Sequence, residues 1–218
     1  MSANLLIIVS VASLFFIHSG REAQAQSETP KFEVGAQFSV IRFENFDVSD
    51  ELFRRELGFP PLQGSVMDPG FGGRFTYNVN NHLGLEAEMN FFPRGDLFDD
   101  GRQTQGLFGP KIGIRKEEKL GLFVKARPGF IHFNKFLKVE DLARGPEGVP
   151  TLSISIISST FFALDLGGVV EFYPSRNALV RFDVGDTIVR YGSHSPREVN
   201  PAFTRHNLQF SAGFGFRF

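Results

Sequence analysis

The stretch NLQFSAGFGFRF, residues 207–218, decides the fold. Leu208, Phe210, Ala212, Phe214, Phe216 and Phe218 share one face of an extended chain; Asn207, Gln209, Ser211, Gly213, Gly215 and Arg217 share the other. A period of two belongs to a strand, since a helix would scatter these phenylalanines around its axis. A sheet packed on an ordinary core rarely turns one phenylalanine after another away from polar neighbours. A strand with hydrocarbon on one side and a lined lumen on the other requires that pattern.

Seven more stretches alternate in the same way. Phe32, Val34, Ala36, Phe38 and Val40 oppose Glu33, Gly35, Gln37 and Ser39. After a polar segment at 44–69, in which 51–57 could form a short helix, Phe71, Phe75 and Tyr77 oppose Gly72, Arg74 and Thr76. Leu83, Leu85, Ala87, Met89 and Phe91 oppose Glu86, Glu88 and Asn90; Phe108, Ile112 and Ile114 oppose Lys111 and Arg115. Leu122, Val124, Ala126 and Phe130 oppose Lys125 and Arg127, although Phe123 and Ile131 interrupt that polar face. A connection at 134–160, with alternation again at 152–156, leads to Phe162, Leu164, Leu166, Val170 and Phe172 opposite Asp165 and Glu171. Val180, Phe182 and Val184 oppose Arg181 and Asp183, and a loop at 192–205 precedes the last strand. Tight turns near Asn80, Glu117 and Ser175 alternate with longer connections. The expectation is all-β: an eight-stranded antiparallel up-and-down transmembrane β-barrel.

Length and composition agree with one domain of this kind. The 218 residues carry a net charge of −1, which gives no footing for nucleic acid, and Phe 27 against Trp 0 concentrates the aromatic content in one residue type. Cys 0 excludes a disulfide scaffold, a thiolate metal site and a lipoprotein anchor. Residues 5–17 form an apolar run too short to span a bilayer, and Ala23-Gln24-Ala25 supplies the small-x-small pattern of a signal-peptidase site. No Lys or Arg precedes that run, a departure from the usual signal. Residues 1–25 read as a cleaved signal peptide and 26–218 as the barrel domain, with membrane integration through strands.

Glycine and charge place the polar face inside. Gly35, Gly84, Gly109, Gly113, Gly129, Gly167, Gly185, Gly213 and Gly215 lie on it, where a narrow barrel lacks room, whereas a solvated exterior would gain nothing from residues that weaken a strand. The charges there nearly cancel, so a lumen ion-pair network is expected from Arg74, Glu86, Glu88, Lys111, Lys125, Arg127, Asp165, Glu171, Arg181 and Asp183. Folding each short turn about its centre sets Arg74 opposite Glu86, Glu171 opposite Arg181, and Lys111 opposite Lys125. Neighbouring acids would offset the repulsion of the last pair.

With eight strands, an export signal and a closing phenylalanine, the chain resembles the small bacterial outer-membrane β-barrel family, the OmpA- and OmpX-like transmembrane barrels. The resemblance implies that Phe214, Phe216 and Phe218 are an assembly signal, that outer-membrane lipid surrounds a monomer, and that the barrel-assembly machinery and periplasmic chaperones are partners in biogenesis. It departs from OmpA in having no periplasmic peptidoglycan-binding domain, and its interfacial girdles must be built largely from Phe. The function implied is a non-enzymatic, structural role in the envelope, with surface loops used for adhesion or defence. The alternatives are a lipid A-modifying enzyme or a small transport or ligand-binding barrel.

Some barrels of this envelope are lipid A acylases or deacylases. His132 faces outward near the loop end of the fifth strand, but Phe133-Asn134 follows it, so the His-x-Ser pair of the deacylases is absent. Ser193-His194-Ser195 lies on a loop without a carboxylate nearby in sequence, and His82 and His206 read as structural. Isolated histidines without carboxylate or thiol spacing make no metal motif, and no cofactor is expected. Phe46, Leu52, Phe53, Leu57 and Phe59 make the first loop unusually apolar and suited to pack over the barrel mouth or against lipid.

Overall fold

Residue for residue, β1 (Phe32–Phe43) is paired along both edges, with β2 (Val66–Asn78) on one side and β8 (Phe203–Arg217) on the other. That double pairing closes the sheet. Between them run β3 (Leu83–Gly95), β4 (Gly101–Lys116), β5 (Leu120–Arg144), β6 (Pro150–Ser175) and β7 (Ala178–Tyr191), each antiparallel to its sequence neighbours, giving a closed eight-stranded barrel. The structure is a computed structural model that describes residues 30–43, 66–95, 101–116, 119–144, 150–192 and 202–218. The apolar run at 5–17, the Ala23-Gln24-Ala25 site, the helix expected at 51–57, the apolar first loop and Ser193-His194-Ser195 lie outside the described residues.

Burial decides which medium surrounds the barrel. Phe38, Phe108, Val124 and Phe216 are 55–66 % exposed on the outer face, while Lys111, Arg127 and Asp165 are 0 % exposed inside. Water would favour the reverse arrangement; hydrocarbon outside favours this one.

Several strands run beyond their expected limits. β2 begins at Val66 rather than Phe71, and β4 at Gly101 rather than Phe108. The β5–β6 ladder continues to Arg144 opposite Pro150, so the connection expected at 134–160 shrinks to 145–149. These extensions escape an apolar-outside pattern because the alternation inverts past the membrane boundary. Ile41 and Phe43 are buried inside while Arg42 between them points out.

One register also differs. Arg74 stands opposite Glu88, and Glu86 opposite Thr76, in place of the expected Arg74–Glu86 pair. Asn80 Oδ1 accepts from the amides of His82 and Leu83, both at 2.8 Å, which draws the tip of the turn to Asn81 and shifts the partner strand by two residues. Glu171 opposite Arg181 and Lys111 opposite Lys125 are in the expected register.

The inward glycines answer two demands. A Cβ on Gly113 or Gly129 would collide with backbone of the adjacent strand, whereas at Gly185 it would strike the lumen side chain of Asp165. Close approach of neighbouring strands therefore matters as much as the narrow lumen.

Candidate functional site

From the turn end to the loop end the lumen is stacked in chemically distinct layers. At the turn end, Glu33 accepts from Arg217 Nε at 3.3 Å, Arg115 Nη2 at 3.4 Å and Asn78 Nδ2 at 2.9 Å. The Arg217 guanidinium lies 4.0 Å above the Tyr173 ring, whose hydroxyl donates to Glu171 at 2.6 Å.

The next layer is ionic. Arg181 on β7 reaches Glu86 on the opposite wall at β3 and donates from Nε to Asp183 Oδ2 at 2.6 Å. Arg127 bridges Glu88 at 2.6 Å and Asp165 at 2.7 Å. Arg74 lies 3.9 Å from Asp183. The register neighbours Lys111 and Lys125 are separated electrostatically because each turns to different acids: Lys111 to Glu171 at 2.5 Å, Glu33 and Glu86, and Lys125 to Asp183 at 2.9 Å and Asp165 at 3.0 Å. Buried charges are tolerable only when paired in this way.

A layer built mainly of amide side chains follows. Gln105 on β4 donates to Gln209 on β8, directly across the barrel, at 2.9 Å, and Asn90 donates to Gln105 at 2.8 Å. Asp68, inside the segment read from sequence as a connection, accepts from Gln103 at 2.7 Å. The loop end is apolar: Ile41, Phe43, Phe92, Leu107, Ile131, Phe133, Phe136, Phe161 and Tyr191 form one buried cluster, with Phe136 stacked on Tyr191 at 6.0 Å. The ion-pair network thus occupies the turn-side part of the lumen, and an aromatic plug closes the rest. Of the two residues that interrupted the fifth strand's polar face, Ile131 belongs to this plug, while Phe123 lies nearer the turn end, its ring 4.8 Å from Lys111 Nζ.

The outer face changes from apolar to polar along an oblique line through Arg42, His206, Arg190, Thr160 and His132. Below it, β1 from Phe32 to Val40 spans roughly 20 Å of membrane normal at about 3.3 Å per residue and about 40° tilt. Phe214, Phe216 and Phe218 stand in the apolar belt, none entering the lumen, and the Phe218 ring lies 5.9 Å from that of Phe32.

On that line, strand pairing brings together what sequence spacing had kept apart. Ser158 Oγ lies 3.3 Å from His132 Nε2, and Thr160 Oγ1 lies 2.8 Å from Nδ1 of the same ring. A β-bulge between Phe133 and Phe136 faces Ser158. His206 pairs with Asp186 at 2.5 Å, while His82 sits exposed at its turn. Among the described residues no group of three His, Cys, Asp or Glu side chains is placed to hold a metal.

The family described as outer membrane protein beta-barrel domain matches residues 9–218. No curated protein matches the chain. Among solved structures, Neisserial surface protein A is 15 % identical with a TM-score of 0.52, covering 86 % of this chain and 97 % of its own. The attachment invasion locus protein Ail of Yersinia pestis, solved in complex with the heparin analogue sucrose octasulfate, is 16 % identical with a TM-score of 0.49, covering 87 % and 99 %. Outer membrane protein W of E. coli is 18 % identical with a TM-score of 0.44, covering 88 % and 100 %. At these identities the likeness is one of fold.

Proposed function

Because this chain belongs to the outer membrane protein beta-barrel domain family and is an integral outer-membrane barrel, we propose that its role there is structural and non-enzymatic, as a closed, non-conducting barrel that presents its loop end for adhesion or defence. The observation that carries this reading is the contact of Arg181 with Glu86 from opposite walls, under the aromatic plug. Ions cannot pass without breaking that contact and the pairs around it. The β5–β6 ladder, continuing past the outer boundary, supports exposure of the loop end. Current recordings in planar bilayers test the closure: a silent barrel agrees, and stable openings would refute it. The proposed export route is signal cleavage after Ala25, checked by sequencing the N-terminus of the mature chain.

A second reading, a lipid A-modifying hydrolase, has one observation in its favour. The Ser158 hydroxyl is within reach of His132 Nε2, Thr160 holds the other ring nitrogen, and all three face outward at the membrane boundary. Mass spectrometry of lipid A from cells with and without the chain separates the two. Acyl loss that depends on Ser158 favours the hydrolase; unchanged lipid A favours the structural role.

A further inference from the structure

The apolar outer face contains a furrow of about 560 Å³ that crosses β1, β8, β7, β6 and β5. Phe38, Ala212, Phe182, Val170 and Leu122 are successive register partners along it. Gly168 also lines it, and a Cβ there would meet nothing closer than 3.9 Å, so the furrow exists partly because that side chain is missing. Strands of such barrels tilt by about 35–45°, so a row running across them crosses the membrane obliquely. At the β1 end the furrow stops one outward position below Arg42. At the β5 end it reaches Leu122, one outward position from Leu120, where that strand begins.

The loop-side end is marked by charge. Arg42 is exposed and makes no ion pair or hydrogen bond among the described residues. Beside it, Leu208 separates Arg42 from Asp186, which pairs with His206 on the adjacent strand, while Arg190 stands four residues beyond Asp186 on β7 and donates to Thr204 at 3.1 Å. A basic group at headgroup depth attracts phosphate oxygens. Within the belt, protein and lipid tails are equally apolar, so fit rather than hydrophobicity selects the occupant. A flexible acyl chain can follow a furrow that crosses five strands, whereas the convex wall of a second barrel cannot enter it.

We infer that this surface binds one anionic, phosphate-bearing lipid of the loop-side leaflet, its acyl chain lying in the furrow and its phosphate held by Arg42, with His206 on the adjacent strand. The site goes beyond the closed-barrel reading and depends only on the outer face meeting lipid, so it stands or falls separately from conductance. The test is electron paramagnetic resonance of the full chain in phosphatidylcholine bilayers, comparing spin-labelled phosphatidylglycerol with spin-labelled phosphatidylcholine. The expected result is preferential immobilisation of phosphatidylglycerol, falling roughly five-fold with Arg42→Gln. Gly168→Leu fills the furrow at a position with room for it and should lower immobilisation of both lipids while the barrel still migrates as folded on unheated gels. Equal immobilisation of the two lipids by the unmodified chain would overturn the site, as would a preference that survives Arg42→Gln. So would a cross-linked dimer that Gly168→Leu abolishes, which would assign the furrow to a second copy.

Discussion

Arg181 Nη2 lies 2.9 Å from Glu86 Oε2 although the two residues stand on β7 and β3, diametrically opposite strands of the barrel. The same guanidinium also holds Asp183 and Glu171, so one side chain ties together acids from three strands. Arg181→Ala should therefore leave several buried carboxylates short of positive charge and cost about 3–5 kcal/mol. Urea unfolding in lipid vesicles measures it. A loss well below 1 kcal/mol would mean that the remaining bases compensate.

The outer face is expected to show depth-dependent tolerance of charge. Leu166, within the apolar belt of β6, should lose about 2–4 kcal/mol as Leu166→Arg, while Thr160→Arg, on the polar boundary of the same strand, should lose about 0–1 kcal/mol. The same vesicle unfolding assay compares them. Equal costs would contradict the placement of the boundary.

Inward and outward glycines should behave differently. Gly113→Ala puts a methyl group into the backbone of β5 and should cost about 1–3 kcal/mol or prevent closure, whereas Gly73→Ala on the outer face meets nothing closer than 3.8 Å and should be tolerated. Heat-modifiable gel migration reads both outcomes.

Strand number, strand faces and two of the three short-turn registers were legible in the sequence because hydrocarbon outside imposes a strict period of two. The third register was not, since it depends on the Asn80 side chain bonding to two amides beyond the apparent centre of the turn. Nor was the aromatic plug: Ile41-Arg42-Phe43 reverses the pattern where the exterior leaves hydrocarbon, and a reading that equates apolar with outward loses the strand there. The approach of Ser158 to His132 was hidden for another reason. It is made across two strands at a bulge, and no spacing within one strand reports it.

The two closures should act independently. Phe133 packs against Phe43, Phe136, Phe161 and Tyr191, so Phe133→Ala should cost about 3–5 kcal/mol in the unfolding assay. Planar-bilayer recordings of the same variant should stay silent, because the ion pairs below the plug remain. Openings in this single variant would assign the seal to the plug alone.

The absence of native cysteine allows single-cysteine spin labelling along β8 without background. Collision with oxygen and with a water-soluble nickel chelate then reports the medium at each position. Phe210→Cys and Phe214→Cys should be reached by oxygen and not by nickel, and Ser211→Cys, inside the lumen, by neither. Ready access of nickel to Ser211→Cys would show a water-filled lumen and contradict a closed barrel.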